Sequence, residues 1–300
     1  MNWKTKELIL NIHENKQIRA QLLWYSYLDK YLVEGWKLKE IVVSYGRELY
    51  VYPIFEKEVE ERIPKNIMGV DINLNHIAYT ILDRHGNLVT AGSILLKNTK
   101  RALHLKHLAE ELQKKYGEGE KWRFVKWARR VRRRWFRRTK NKLNDECYYI
   151  SKKLMKIADK YDAYIVFEKL NYLKEQSSEK SRRLAWEVQL WCFRRIQQYT
   201  EYKVMGKGLK VLYVDAKNTS RKSPIGGKLR FINYRWVVLP NGVITTRDMV
   251  ASWNLALRGL KQMRGLKVRW SPDSSRNAGM RTRPKRENDE KNIPSYLRIF

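Results

Sequence analysis

Three acidic residues lie at positions where an uncompensated charge is costly. Asp71 interrupts the apolar stretch MGVDINL, Glu168 ends the apolar stretch YIVFE, and Asp248 precedes the apolar stretch MVASWNLAL. A buried polar group needs a partner that offsets its lost hydration. Carboxylates brought together from three elements could hold two Mg²⁺ ions about 3.5–4 Å apart, of which one activates water and the other stabilises a leaving 3′ oxygen. The residue types therefore indicate phosphodiester hydrolysis.

Each acid also has an ordinary structural explanation when it is taken alone. Asp248 could be an acid favoured by the dipole of a helix N-terminus, Asp71 could cap a turn, and Glu168 could pair with an arginine. The combination, on three different elements, favours a metal centre. We therefore predict that Asp71, Glu168 and Asp248 are the catalytic and metal-binding residues.

The surrounding sequence predicts the elements that would position these acids. The stretches NIMGVDINL, HIAYTILD and LVTAGSIL predict an antiparallel three-stranded meander, with a turn at Asp83 and Gly86. Helical periodicity and apolar runs then predict, in order, a helix over Lys100–Tyr116, a long helix within 121–161, a strand over Ala163–Leu170, a helix from about Arg182 to Val204, and a strand at LKVLYVD. A meander followed by strand, helix and strand is the order of an RNase H-like (RuvC-type) α/β core.

The chain divides into five predicted segments. Residues 1–65 form a β-containing lobe with strands at Ile41–Ser44 and Glu48–Phe55, although residues 3–36 contain helix-like stretches. The remaining segments are the core with a basic helical insertion (66–216), a hairpin (217–244), the final core helix (245–264) and a basic tail (265–300) that we expect to be disordered.

The charge of the chain indicates a polyanionic partner. The net charge is +32, and residues 121–142 contain twelve Lys or Arg and no acid. Such a surplus favours nucleic-acid binding, although a charge run can also be a solvated helix face. The residues predicted to contact nucleic acid are Arg129, Arg130, Arg133, Arg134, Arg137 and Arg138.

Other classes of function find little support in the sequence. The two cysteines, Cys147 and Cys192, are too few for a disulfide framework and are expected to be buried thiols. His104 and His107 lack a third ligand at a sensible spacing and are expected to be structural or surface residues. No Walker loop, GxSxG motif or dinucleotide fingerprint occurs. Without a signal peptide or an apolar run near the roughly 18 residues of a membrane span, the protein is expected to be soluble and cytoplasmic.

Four stretches together resemble a known family. They are GVDINLNHIA, VFEKLNYL, WCFRRIQQYTEYKVMGKGLKVLYVDAKNTS and RDMVASWNLALRG. Over about residues 40–260, the chain resembles the TnpB (OrfB) proteins of insertion sequences, relatives of the RuvC nuclease half of type V CRISPR effectors. The resemblance implies RNA-guided cleavage of DNA, with Asp71, Glu168 and Asp248 binding Mg²⁺ or Mn²⁺. Asn254 matches the Asn that follows the third acid in the family motif, and we interpret it as a residue that packs or supports the helix.

The chain departs from that family at its zinc ribbon. TnpB-like proteins usually carry two Cys-x-x-Cys pairs there, whereas the corresponding positions are Ser223, Gly226, Val238 and Asn241. These residues offer no thiolate or imidazole, so no structural zinc is expected. We expect packing of the aromatic residues to hold the hairpin instead. These aromatics are Phe231, Tyr234 and Trp236.

The leading hypothesis is a Mg²⁺-dependent, RNA-guided DNA endonuclease whose partners are DNA and a guide RNA. The region before Asp71 is shorter than in the resembling family, which leaves two alternatives open. One is a protein that binds nucleic acid on the same fold without cutting it. The other is a structure-specific nuclease that acts without a guide. The sequence assigns no oligomeric state.

Overall fold

A computed structural model describes residues 5–13, 16–45, 48–73, 75–116, 125–169, 193–215 and 217–265. The chain divides into two compact units, with the boundary between Glu58 and Val59. Cys192, the first part of the helix predicted from Arg182, and the tail beyond residue 265 lie outside the described residues.

The N-terminal unit contains two antiparallel hairpins. Its elements are β1 (Glu7–His13), β2 (Lys16–Gln21), a 3₁₀ turn (Ser26–Leu28), α1 (Asp29–Val33), β3 (Lys37–Tyr45) and β4 (Leu49–Glu56). The two strands predicted within 41–55 are confirmed. The helix-like interpretation of the earlier residues is wrong for 7–13 and 16–21, which are strands in which Leu8 is buried and Ile9 is exposed. This is the two-residue period of a strand, which a short apolar run does not reveal.

The second unit is built on a five-stranded mixed sheet, which confirms the predicted α/β class. Its strands are β5 (Asn66–Ile72), β6 (His76–Asp83), β7 (Leu88–Leu95), β8 (Ala163–Glu168) and β9 (Val211–Val214). The spatial order is β7-β6-β5-β8-β9. Strands β5, β6 and β7 form the predicted antiparallel meander, and β8 and β9 continue the sheet in parallel with β5. Asp83 accepts main-chain hydrogen bonds from His85 and Asn87, which fixes the predicted turn.

Within the described residues, the second unit also contains four helices. They are α2 (Thr99–Tyr116), α3 (Lys126–Lys160), α4 (Phe193–Met205) and α5 (Arg247–Gly265). The long predicted helix is confirmed as α3, and its buried stripe includes Leu143, Cys147, Ile150 and Leu154. Strand β8 is buried along nearly its whole length, and both α3 and α5 pack against it. A parallel strand covered on both faces belongs in the interior of an α/β layer structure.

Helix α5 lies directly on the backbone of the sheet. A Cβ atom at Gly69 in β5 would lie 2.0 Å from the main-chain oxygen of Ser252 in α5. A Cβ atom at Gly259 would lie 2.3 Å from Cγ2 of Val166 in β8. Thr80 in β6 adds a buried hydroxyl contact of 2.7 Å to Ser252. Glycine at two positions therefore allows a helix approach that no larger residue would permit.

A buried carboxylate connects α3 to the start of α2. Glu146 is 1% exposed, and its carboxylate accepts main-chain hydrogen bonds from Lys97, at 3.1 Å, and from Asn98. These N–H groups flank the beginning of α2, where donors have no partner within the helix. A residue distant in sequence thus supplies the acceptors that close this helix end.

The ammonium group of Lys203 in α4 lies among aromatic rings and contacts α3. Its Nζ lies 3.6 Å from the ring centroid of Tyr148 in α3, and the rings of Tyr199 and Tyr202 are also close. The ammonium group donates hydrogen bonds to the main-chain oxygen of Tyr148, at 3.3 Å, and to the Ser151 hydroxyl. Burial, followed by repulsion from Lys152, lowers the pKa of Lys203 to about 8.

The segment before α5 forms a small three-stranded antiparallel sheet. Its strands are β10 (Arg230–Phe231), β11 (Trp236–Val238) and β12 (Ile244–Thr246). The expectation that Phe231, Tyr234 and Trp236 hold it by packing is wrong, because these side chains are 48%, 88% and 43% exposed. The module instead packs through an apolar cluster shared with α5. This cluster, here called the apolar plug, consists of Val237, Leu239 and Val250, with Leu229 and Trp253 packed against it.

Three of the four positions that correspond to zinc ligands have other local roles. Val238 is buried, the Ser223 hydroxyl accepts a hydrogen bond from the main chain of Ile225, and Asn241 accepts one from the main chain of Val243. Side chains of this chemistry do not fit a structural zinc site.

Candidate metal centre

Strand periodicity directs the predicted acids toward α5. Gly69 faces α5, so Asp71, two residues further along β5, lies on the same face. Val166 contacts Gly259 of α5, which places Glu168 on that face of β8 by the same rule. Asp248 lies in the first turn of α5 itself. The structure therefore brings the three predicted residues to one side of the sheet.

The electrostatics of Asp71 indicate that the three carboxylates are close. Burial is the main cause that raises the pKa of Asp71, to about 7, and the negative charges of Glu168 and Asp248 raise it further. The hydrogen bond from Asn73 acts in the opposite direction. Burial also raises the pKa of Glu168. Both pKa shifts describe carboxylates that lack full compensation of their charge.

Two polar neighbours that sequence reasoning missed contact these acids. Nδ2 of Asn73 donates a hydrogen bond of 2.8 Å to Oδ2 of Asp71. Nε2 of His76 lies 3.0 Å from Oδ2 of Asp248. The available signal was a cluster of polar residues, Asn73, Asn75 and His76, immediately after the strand that carries Asp71.

The carboxylates of Asp71, Glu168 and Asp248 are chemically suited to bind a divalent cation. Within the described residues, no group of three or more His, Cys, Asp or Glu is close enough in this arrangement to hold one metal ion. The three acids nevertheless interact electrostatically, and carboxylate oxygens are the ligands that Mg²⁺ and Mn²⁺ prefer.

Two residues of α5 stabilise the segment that follows β9. Asn254 donates hydrogen bonds to the main-chain oxygens of Thr219, at 2.7 Å, and Lys222, at 2.8 Å. Arg258 donates to the main-chain oxygens of Asp215 and Lys217. The predicted supporting role of Asn254 is therefore confirmed.

The predicted arginines form a basic surface on the N-terminal half of α3. A recess of about 480 Å³ is lined by Lys126, Arg129, Arg130, Arg133, Arg134 and Arg137. Arg138 is exposed on the same helix but does not line the recess. No acidic side chain of the described residues forms an ion pair with these arginines. We call the five lining arginines and Arg138 the arginine face.

The remaining sequence candidates have ordinary environments. His104 and His107 are both exposed on α2, and Nε2 of His107 lies 3.3 Å from Glu111. Cys147 is buried, as predicted. Within the described residues, no helix combines the length and the apolar character needed to cross a membrane.

One family model and two solved structures are similar to parts of the chain. A family model described as the Cas12f1-like TNB domain matches residues 193–255. Two solved Cas12f assemblies are similar in structure. One is a Cas12f1–sgRNA–target DNA complex, with a TM-score of 0.48, 14% identity, and coverage of 72% of this chain and 55% of that chain. The other is a CRISPR–Cas12f ternary complex, with a TM-score of 0.48, 15% identity, and coverage of 77% and 47%. The chain thus spans about half the length of these Cas12f chains.

A curated relative matches over a much larger share of its length. The TnpB-like protein MJ0751 of Methanocaldococcus jannaschii is 30% identical over 249 residues, which cover 80% of this chain and 86% of the relative. Identity at this level across most of both sequences means that the protein belongs to the TnpB-like family.

Proposed function

We propose that the protein is a divalent-cation-dependent, RNA-guided DNA endonuclease with an RNase H-like (RuvC-type) core. The observation that carries the proposal is the convergence of Asp71, Glu168 and Asp248 from β5, β8 and α5. Burial raises the pKa of Asp71 to about 7, and the negative charges of Glu168 and Asp248 add to that rise. The antiparallel meander followed by two parallel strands supports the fold assignment. Membership in the TnpB-like family supports the nuclease assignment, and RNA guidance is carried over from the family resemblance.

In this proposal the three carboxylates hold Mg²⁺ or Mn²⁺. The bound cations would supply Lewis acidity, which activates a water molecule and stabilises a leaving 3′ oxygen. Asp71, Glu168 and Asp248 provide the hard oxygen ligands, and their mutual repulsion is offset when a cation binds. The buried contacts of α5 with β5 and β6 fix the helix that carries Asp248.

The arginine face supplies the proposed contact with the nucleic-acid backbone. Its cations lie on one helix, and the recess they line has no neutralising acid among the described residues. Arginine side chains bind phosphate oxygens through charge-assisted hydrogen bonds. Backbone contacts of this kind position a strand without reading its sequence. Base pairing with an RNA would then select the DNA target.

The test begins with the full chain purified together with its nucleic acid. Sequencing of the copurifying RNA should yield one enriched species, and addition of a matching DNA with Mg²⁺ should produce cleavage. Asp71→Asn should abolish cleavage while gel-shift binding of RNA and DNA is retained, because a ligand is lost and the shape of the side chain is kept. Asp145→Asn is the matched control, since it removes an exposed acid from α3.

Each other outcome rejects a defined part of the proposal. Cleavage by Asp71→Asn at the wild-type rate would remove Asp71 from the catalytic site. Binding without cleavage by the wild type, in either Mg²⁺ or Mn²⁺, would establish the binding protein instead. Cleavage together with a random mixture of copurified RNA would establish a nuclease that acts without a guide.

A further inference from the structure

The turn between β5 and β6 contacts two of the three acids. Asn73 donates a hydrogen bond to Oδ2 of Asp71, and Nε2 of His76 lies 3.0 Å from Oδ2 of Asp248. The His76 side chain is only 14% exposed, and that of Asp248 is 28% exposed. A single turn thus reaches one carboxylate on its own strand and another on α5.

The backbone explains why both side chains reach these acids. The main-chain N–H of Asn73 donates a hydrogen bond of 3.0 Å to the main-chain oxygen of His76, which closes the turn. His76 lies on the same face of β6 as Thr80, four residues further along the strand. Because the Thr80 hydroxyl contacts Ser252 in α5, this face of β6 is directed toward α5.

Such contacts limit the rotation of a carboxylate. A free aspartate samples several side-chain rotamers, and a cation that binds it must restrict them at an entropic cost. A hydrogen bond to one oxygen removes part of that cost before the cation arrives. Partners of this kind behind metal ligands typically change metal affinity by about 10–100-fold when they are lost.

We propose that Asn73 and His76 are positioning residues that orient the carboxylates of Asp71 and Asp248 for cation binding. The inference rests on the proposed function, because it assumes that these acids bind a divalent cation. Asn73 acts through its side-chain amide, and His76 acts through Nε2–H. Neither residue contacts the nucleic acid or the reacting atoms in this role.

The test uses Mn²⁺ alone as the probe, with the full-length protein and without substrate. Binding is followed by electron paramagnetic resonance of free Mn²⁺, and unfolding temperatures are measured in its absence. Asn73→Ala and His76→Leu should weaken Mn²⁺ binding by about 10–100-fold. His76→Gln retains an amide donor near the position of Nε2 and should restore binding to within about threefold. Asn75→Ala, an exposed change in the same turn, is the matched control and should bind as the wild type does.

A second histidine variant keeps the test decisive if His76→Leu does not fold. Asparagine is polar, but its side chain is too short to place an amide where Nε2 of His76 lies. The His76→Asn variant should therefore bind Mn²⁺ as weakly as a variant without a hydrogen-bond donor at this position.

Asp71→Asn separates the two proposals. If it leaves Mn²⁺ binding unchanged, the proposed metal centre fails. If it abolishes binding while Asn73→Ala and the histidine variants bind as the wild type does, only the positioning inference fails. Equal weakening by His76→Gln and His76→Asn would overturn the role of the donor.

Discussion

Gly69 and Ser252 bring the backbones of β5 and α5 into contact, because a Cβ atom at position 69 would lie 2.0 Å from the main-chain oxygen of Ser252. The same Cβ atom would lie 2.5 Å from the main-chain nitrogen of Ala256. Backbone atoms of a helix cannot move aside as a flexible side chain can. The position of α5, and therefore of Asp248, depends on the absence of a side chain at residue 69.

Gly69→Ala should therefore destabilise the protein by at least about 2 kcal/mol, since overpacking a rigid contact forces the helix away from the sheet. Urea denaturation followed by circular dichroism measures this change. Gly265→Ala is the control, because a Cβ atom at that position meets nothing within 4 Å. Equal unfolding free energies for the Gly69→Ala variant and the wild type would show that the helix tolerates displacement.

The arginine face should determine the salt dependence of nucleic-acid binding. Each phosphate contact releases condensed counterions and contributes a slope of about −0.7 to −0.9 in log affinity against log salt concentration. Changing four arginines to Gln should flatten the slope by up to roughly three units while sequence preference is retained. The variant carries Arg130→Gln, Arg133→Gln, Arg134→Gln and Arg137→Gln.

A matched control comes from the other half of the same helix. Lys152, Lys153, Lys156 and Lys160 are exposed on α3, and their replacement by Gln removes the same total charge. If both quadruple variants flatten the slope equally, the effect reflects net charge. An unchanged slope in the folded arginine variant would mean that nucleic acid binds elsewhere.

The three-stranded module should be stable without zinc. Elemental analysis of the purified protein should find no stoichiometric zinc, and a chelator should leave the unfolding temperature unchanged, because the four ligand positions carry no thiolate or imidazole. Leu239→Ala should lower the free energy of unfolding by about 2–4 kcal/mol, because it leaves a cavity in the apolar plug. Ile244→Ala, which alters an exposed residue of the same module, is the control. One tightly bound zinc per chain would contradict this prediction.

Lys203 should make stability depend on pH in alkaline solution. Its pKa is about 8 in the folded protein and about 10.4 in an unfolded chain, so the unfolded state binds more protons between these values. This group therefore increases the free energy of unfolding as pH rises from about 8 to about 10. Lys203→Met should lose that increase, and its stability relative to the wild type should fall over this range. Lys160→Met controls for the loss of one positive charge, and parallel pH profiles for wild type and Lys203→Met would refute the assignment.

The strands that carry the acids could be predicted because their signals are local. An acid within or at the end of an apolar run marks both a strand and a candidate ligand, as at Asp71 and Glu168. The contacts of Asn73 and His76 could not be predicted in the same way, because His76 meets an acid on a helix far along the chain. The prediction of how β10–β12 pack was wrong for a related reason. Which side of a short strand is buried depends on its partner, and Val237 rather than Trp236 faces α5.

The acceptor that Glu146 supplies to the start of α2 has a consequence for synthesis on the ribosome. The chain reaches Asn98 first, and Glu146 follows 48 residues later. Until then the main-chain donors of Lys97 and Asn98 have only water as an acceptor at that end, and most of the stability of a helix in a protein comes from tertiary packing. The first turn of α2 therefore becomes stable late, after α3 has been made and docked.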